Sequence, residues 1–120
     1  MDDPADSATI ATSSLAPRKG RSSRPHYLEQ SEGDDGGMRL FKLAKKETVI
    51  GRAEDAPVRL ISPKASRQHA ILHRRAGEFI IQDNGSRNGI YLNGLRVWRA
   101  LLRDGDIIQI ADSEFVYREG

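Results

Sequence analysis

From Met38 onward the chain is cut every few residues by polar turn clusters, and the pieces between them are too short for helices. Short runs rich in Val, Ile, Leu and Phe alternate with turns that contain Gly, Asn, Asp and Ser. No stretch repeats its apolar residues at the three-to-four spacing of an amphipathic helix, whereas short β-type runs bounded by turn residues build small sheet proteins. The expected strands are Met38–Leu43, Glu47–Ile50, Val58–Ile61, Ala70–Arg74, Glu78–Gln82, Ile90–Leu92, Arg96–Arg99, Asp106–Ile110 and Glu114–Tyr117. A hairpin is expected around Arg75-Ala76-Gly77, and the last two strands close the domain as another. So many short strands predict an all-β sandwich of two antiparallel sheets rather than a parallel α/β sheet.

Residues 1–37 lack that pattern. They are rich in Asp, Ser, Pro and Gly with almost no periodic apolar residue, and such a segment cannot bury enough surface to offset its ordering entropy. The reading is a disordered N-terminal arm over 1–37, bounded by the glycines from Gly33 to Gly37, then one folded domain over 38–120. Inside the arm, Pro17-Arg18-Lys19-Gly20-Arg21-Ser22-Ser23-Arg24 is a basic patch read as solvated linker.

The net charge of +2 is unevenly placed. Residues 1–37 hold 4 basic and 7 acidic side chains, a balance of −3, and residues 38–120 hold 15 basic and 10 acidic, a balance of +5. A cationic domain favours an anionic partner and attracts its own acidic tail. There is no cysteine, which excludes a disulfide framework and a thiolate metal site. His26, His69 and His73 are scattered, so no metal or other cofactor is expected. No apolar run approaches the ~20 residues that span a bilayer, and the acidic N-terminus lacks the apolar core of a secretory signal. The default location is the cytoplasm.

The unusual residues sit where strands should end: Gly51-Arg52, then Ser66-Arg67-Gln68-His69, then Asp83-Asn84-Gly85-Ser86-Arg87-Asn88-Gly89. Loops held by a rigid sheet are where binding residues concentrate. A guanidinium directly after a glycine offers fixed donors that grip two phosphate oxygens at once, which Lys cannot copy. Ser66 can donate its hydroxyl and its backbone N–H, and the Asn88 amide can both donate and accept. The set suits an oxyanion. No paired carboxylates, Cys nucleophile or phosphate-cradling glycine loop accompanies it, so an enzyme is not expected.

The ordered set Gly51-Arg52, Ser66-x-x-His69, Asn88-Gly89 and Asn93-Gly94 resembles the forkhead-associated (FHA) domain, a small β-sandwich that binds phosphothreonine peptides. Asp104-Gly105-Asp106 is similar to the family's closing hairpin, and the resemblance covers about Met38 to Tyr117. It implies a signalling module without catalysis of its own, with Arg52 and Ser66 as the main phosphate ligands. Arg67, and less directly Lys64, would add charge at the rim; Asn88 would read the ligand's backbone; Ser86 and Arg87 would tune the residues accepted beside the phosphothreonine. A niche for the threonine methyl near the Asn88 loop is implied as well. Gly51, His69 and Gly89 would be structural, His69 by holding the phosphate loop through side-chain hydrogen bonds.

On the residues alone, His73 shares the face of His69 by the period-two rule, and Asn93-Gly94 reads as a tight hairpin turn. Two positions depart from the family pattern: Ile90 stands where Thr is usual, and Ala111 where Gly is common. Neither is an expected phosphate ligand.

Thr9 and Thr12 in the arm are candidate phosphoacceptors for a Ser/Thr protein kinase. Measured to residue 37, the arm reaches roughly 25–30 Å on flexible-chain scaling, so a phosphorylated tail threonine could occupy the domain's own pocket; the alternative is an inert solubilising arm. Two other functions compete. One is a phospho-independent scaffold that uses a sheet face, with Trp98 as anchor if it is exposed and as core if it is not. The other is a nucleic-acid binder, prompted by the +5 domain and the arm's basic patch and disfavoured by the lack of an aromatic stacking platform. The chain's end at Tyr117-Arg118-Glu119-Gly120 fits a complete protein or the N-terminal regulatory piece of a larger signalling protein.

Overall fold

The computed structural model describes residues 25–32 and 37–120. They form strands β1 (His26–Glu32), β2 (Gly37–Leu43), β3 (Glu47–Gly51), β4 (Val58–Arg59), β5 (Ala70–Arg75), β6 (Glu78–Asp83), β7 (Ile90–Leu92), β8 (Leu95–Val97), β9 (Arg99–Leu101), β10 (Ile107–Ile110) and β11 (Ser113–Glu119). A six-stranded sheet runs β2-β1-β11-β10-β7-β8 and a five-stranded sheet runs β4-β3-β5-β6-β9. The expected two-sheet sandwich is the observed architecture, with one local difference: β4 pairs with β3 in parallel, through Ile50 opposite Val58 and Gly51 opposite Arg59.

Period-two alternation decides which side chains meet between the sheets. On β6, Phe79, Ile81 and Asp83 are buried while Ile80 and Gln82 between them are half-exposed; on β10, Ile108 and Ile110 point inward and Ile107 and Gln109 outward. Leu28, Ile50, Leu72, Phe79, Ile81, Ile90, Ile108, Ile110, Phe115 and Tyr117 form the centre of the core. Ile90 is one of them, fully buried at the start of β7 and paired with Ile110 and Val97. A hydroxyl there would need a partner in an apolar layer, which an isoleucine does not.

The arm expected over 1–37 is corrected at its C-terminal end. His26–Glu32 is a strand inside the six-stranded sheet, paired from His26–Leu43 to Glu32–Gly37 on one side and from His26–Glu119 to Gln30–Phe115 on the other. Leu28 is its single aliphatic residue, so no apolar run announces it. The second inward position is His26, buried against Phe79 and bonded to the Tyr117 hydroxyl at 2.5 Å. Neighbours on both sides hold this strand, and the folded unit begins by Pro25. Residues 1–24, with Thr9, Thr12 and the basic patch, and residues 33–36 lie outside the described residues.

The strand expected over Arg96–Arg99 is two strands. β8 belongs to one sheet and β9 to the other, and the chain crosses between them at Trp98, which is 66% exposed.

Candidate functional site

Three chain segments converge on Gly51. Its carbonyl accepts from the Leu60 N–H at 2.7 Å, the Arg52 N–H donates to the Ser66 carbonyl at 3.0 Å, and the Ala53 N–H donates to the Arg67 carbonyl at 3.1 Å. A side chain at Gly51 would have its Cβ 2.0 Å from the Arg67 oxygen and 2.7 Å from its carbonyl carbon. Only glycine lets the serine-bearing loop lie this close to the end of β3. The residues that flank these contacts, Arg52, Arg59 and Arg67, line an open cavity of about 600 Å³ together with Glu54, Asp55 and Ile61.

Arg52 is aimed. Its Nε donates to the Ala65 carbonyl at 3.0 Å, which orients the guanidinium. No ion pair ties up its other nitrogens among the described residues, although Glu54 and Asp55 follow closely in the chain. Ser66 is half-buried, and its Oγ accepts from the Arg87 N–H at 3.3 Å. The hydroxyl proton is left to point elsewhere. Its backbone N–H is not available to a ligand as the sequence suggests, because it donates to His69 Nδ1 at 3.1 Å.

His69 is fully buried and serves as the bolt of the site. With Nδ1 accepting from Ser66, Nε2 carries the proton and donates to the Gly89 carbonyl at 2.8 Å. The Asn84 N–H donates to the His69 carbonyl at 3.0 Å and the Asn84 amide to the Gln68 carbonyl at 3.2 Å. His73 is not drawn into this arrangement. His69 lies just before β5 and turns inward, whereas His73 sits on the outward face of β5 with Glu47 Oε2 3.6 Å from its Nδ1. No cluster of metal-ligating side chains occurs among the described residues.

The loop from Asp83 to Gly89 is built by its own polar side chains. The Ser86 N–H donates to Asp83 Oδ1 at 2.9 Å, and the Gly89 N–H donates to Ser86 Oγ at 2.9 Å. Ser86 therefore shapes the loop from inside. Asn88 and Arg87 face outward. The Asn88 Nδ2 donates to the Lys64 carbonyl at 2.8 Å, which joins this loop to the serine loop and leaves the amide oxygen and second N–H without a partner among the described residues. Asn93-Gly94 is the expected hairpin turn, with φ of 51° and 86°, and the Asn93 side chain also ties Asp106 and the Ile107 N–H.

Lys64 is engaged elsewhere, contrary to a rim role. Its Nζ lies 3.4 Å from Asp112 Oδ1, while Ser62 Oγ donates to Asp112 Oδ2 at 2.8 Å and accepts from the Lys64 N–H at 3.1 Å. The bond from Ser62, ahead of the attraction of Lys64, holds the Asp112 carboxyl below the usual carboxylate range. Asp112 thereby pins the front of the serine loop from the β10–β11 turn. Sequence reasoning missed three contributors: Asp112, Asp83 and Arg59. Asp83-x-x-Ser86 carried a local turn signal; Asp112 depends on a contact 50 residues away in the chain, and Arg59 on the parallel pairing of β4 with β3.

The site joins Arg52, Ser66, Arg67, Arg87 and Asn88 at one end of the sandwich, on loops bonded to one another. The FHA domain family matches residues 48–111, which carry every one of these positions. The chain belongs to the FHA domain family. It is 32% identical over 120 residues to an oxoglutarate dehydrogenase inhibitor of Corynebacterium diphtheriae, covering all of this chain and 80% of that protein. It is 44% identical over 71 residues to the ABC transporter ATP-binding/permease protein Rv1747 of Mycobacterium tuberculosis, covering 59% of this chain and 8% of the transporter's length. A solved structure from an analysis of phosphothreonine-dependent FHA domain interactions superposes with a TM-score of 0.73 at 30% identity, covering 80% of this chain and 97% of that one. The family is one of binding modules. In this FHA domain no helix among the described residues is long and apolar enough to cross a membrane.

Proposed function

We propose that this FHA domain reads phosphothreonine peptides in signalling downstream of a Ser/Thr protein kinase. The observation that carries the reading is the aimed guanidinium of Arg52, which has no ion pair among the described residues, on a backbone bonded to Ser66. Arg52 grips two phosphate oxygens, the Ser66 hydroxyl donates to a third, and Arg67 adds positive charge from the adjoining position. The free face of the Asn88 amide takes the ligand's backbone, and Arg87 meets residues beside the phosphothreonine. The likeness to a structure of phosphothreonine-dependent FHA interactions supports this. The setting is cytoplasmic, either as a free module or within a larger signalling protein.

Thr9 and Thr12 are the proposed phosphoacceptors of the arm. Counted from Pro25, Thr12 lies 13 positions earlier in the chain, a reach of about 20 Å. β1 starts beside Leu43 and hence at the end of the sandwich where β3 begins. The arm must therefore run the length of β3, about 15 Å at the usual rise per residue, to bring a phosphate to Arg52.

Calorimetric titration with a phosphothreonine peptide library tests the reading on wild type and Arg52→Ala. Micromolar binding that is lost in Arg52→Ala and absent for the unphosphorylated peptides supports it. Binding that Arg52→Ala retains, or none by wild type, overturns it and favours a scaffold role for the exposed Trp98 and Leu95.

A further inference from the structure

Arg59 stands outside the motif residues, yet the fold delivers it to the same cavity. It is the Cα partner of Gly51 in the parallel β3–β4 pair, so its backbone lies one strand spacing, about 4.8 Å, from the residue that precedes Arg52. Val58 and Leu60 on either side are buried, and alternation turns Arg59 outward, where it lines the cavity with Arg52 and Arg67. Among the described residues Arg59 has no ion pair and no side-chain hydrogen bond, although Glu54 and Asp55 line the cavity too.

We infer that Arg59 forms a second anion subsite next to the phosphothreonine position, so that the site prefers a ligand carrying two neighbouring anions. This deepens the phosphothreonine reading and rests on it. A phosphothreonine brings about −1.5 to −2 charges, which Arg52 and Arg67 match, with Ser66 supplying a neutral donor. Glu54 and Asp55 also line the cavity, but neither pairs with Arg59 among the described residues, so the third guanidinium keeps its fork open toward the cavity. A guanidinium fork takes a carboxylate or a phosphate in the same bidentate way, so the second anion is a Glu or Asp side chain of the ligand or a second phosphorylated residue.

The test uses three sets of phosphothreonine peptides: with neutral Gln flanks, with Glu placed in turn at each flanking position, and with a second phosphothreonine at those positions. Each is titrated into wild type, Arg59→Ala and Arg52→Ala. Wild type is expected to bind at least one doubly anionic peptide about tenfold more tightly than the neutral-flanked one, the scale of one charge-assisted hydrogen-bonded pair. Arg59→Ala should abolish that gain and bind the neutral-flanked peptide within about twofold of wild type, whereas Arg52→Ala loses all three sets. The Glu and diphosphorylated sets show which anion is taken. Indifference of wild type to a second anion at every position overturns the inference. So does an equal loss of all peptides in Arg59→Ala, which would place Arg59 on the first phosphate. Failure of wild type to bind any phosphopeptide removes the underlying reading and this inference with it.

Discussion

The Nε2 of His69 donates to the carbonyl of Gly89 at 2.8 Å across 20 residues of sequence, beneath loops on which Arg52, Arg67, Arg87 and Asn88 are exposed. Because the same ring accepts from the Ser66 N–H, one buried imidazole sets the distance between the serine loop and the asparagine loop. His69→Ala leaves an N–H and a C=O unsatisfied and opens a cavity, a loss expected to reach about 2–4 kcal/mol. Urea unfolding measures it through a lower midpoint. Phosphopeptide affinity of the folded fraction should fall as well, since Ser66 and Asn88 no longer share a frame. An unchanged midpoint would show that the ring is dispensable.

Gly51→Ala tests the close approach directly. The new methyl meets backbone, not a flexible side-chain end, so the segment from Arg67 to Gln68 must shift. Such overpacking costs about 1–3 kcal/mol. The shift also moves Ser66 relative to Arg52, so phosphopeptide binding should weaken more than stability alone explains. Backbone amide spectra would locate the disturbance at residues 66–69; a variant with wild-type spectra and affinity would mean that the glycine is replaceable.

Arg52, Ser66 and Asn88 were legible in the sequence because the site is made of turn residues at strand ends, and turn chemistry is local. The Asp83–Ser86–Gly89 loop is local in the same way. β1 was not legible: its inward residues are His26 and Leu28, a pattern that becomes a strand only between β2 and β11. The fate of Lys64 was hidden for a related reason. Its partner Asp112 lies in a turn of the opposite sheet, and nothing near Lys64 in the chain marks it as taken. Arg59 reads as an ordinary outward strand residue until the parallel pairing of β3 and β4 brings it beside Gly51.

The Asp112 clamp predicts a pH dependence of definite sign. Its folded pKa is lowered, first by the hydrogen bond from Ser62 and then by Lys64, so the clamp's contribution is fully present above the ordinary carboxylate pKa of about 4. It is lost as pH falls through the lower folded value. Because Asp112 is exposed, solvent screening keeps the effect small. Asp112→Asn should lower the melting temperature slightly at pH 7, and thermal scans of the two proteins should converge as pH falls below the lowered folded value, where both side chains are neutral. A gap that widens on acidification would contradict the clamp.

The turn between β5 and β6 carries strain that can be removed. Arg75 pairs with Glu78, so Ala76 and Gly77 alone make the connection, and their φ values are 52° and 80°. Positive φ at both positions is the demand of a type I′ turn, which favours Asn-Gly. An alanine in the left-handed region costs about 1 kcal/mol, whereas Asn enters it more readily. Ala76→Asn is therefore expected to stabilise the domain by about 0.5–1 kcal/mol, seen as a higher urea midpoint at unchanged slope. The turn lies at the opposite end of β5 from His69, so phosphopeptide affinity should not move. If the midpoint stays or falls, the backbone at Ala76 relaxes without cost; if affinity changes with it, the two ends of the sandwich are coupled through β5.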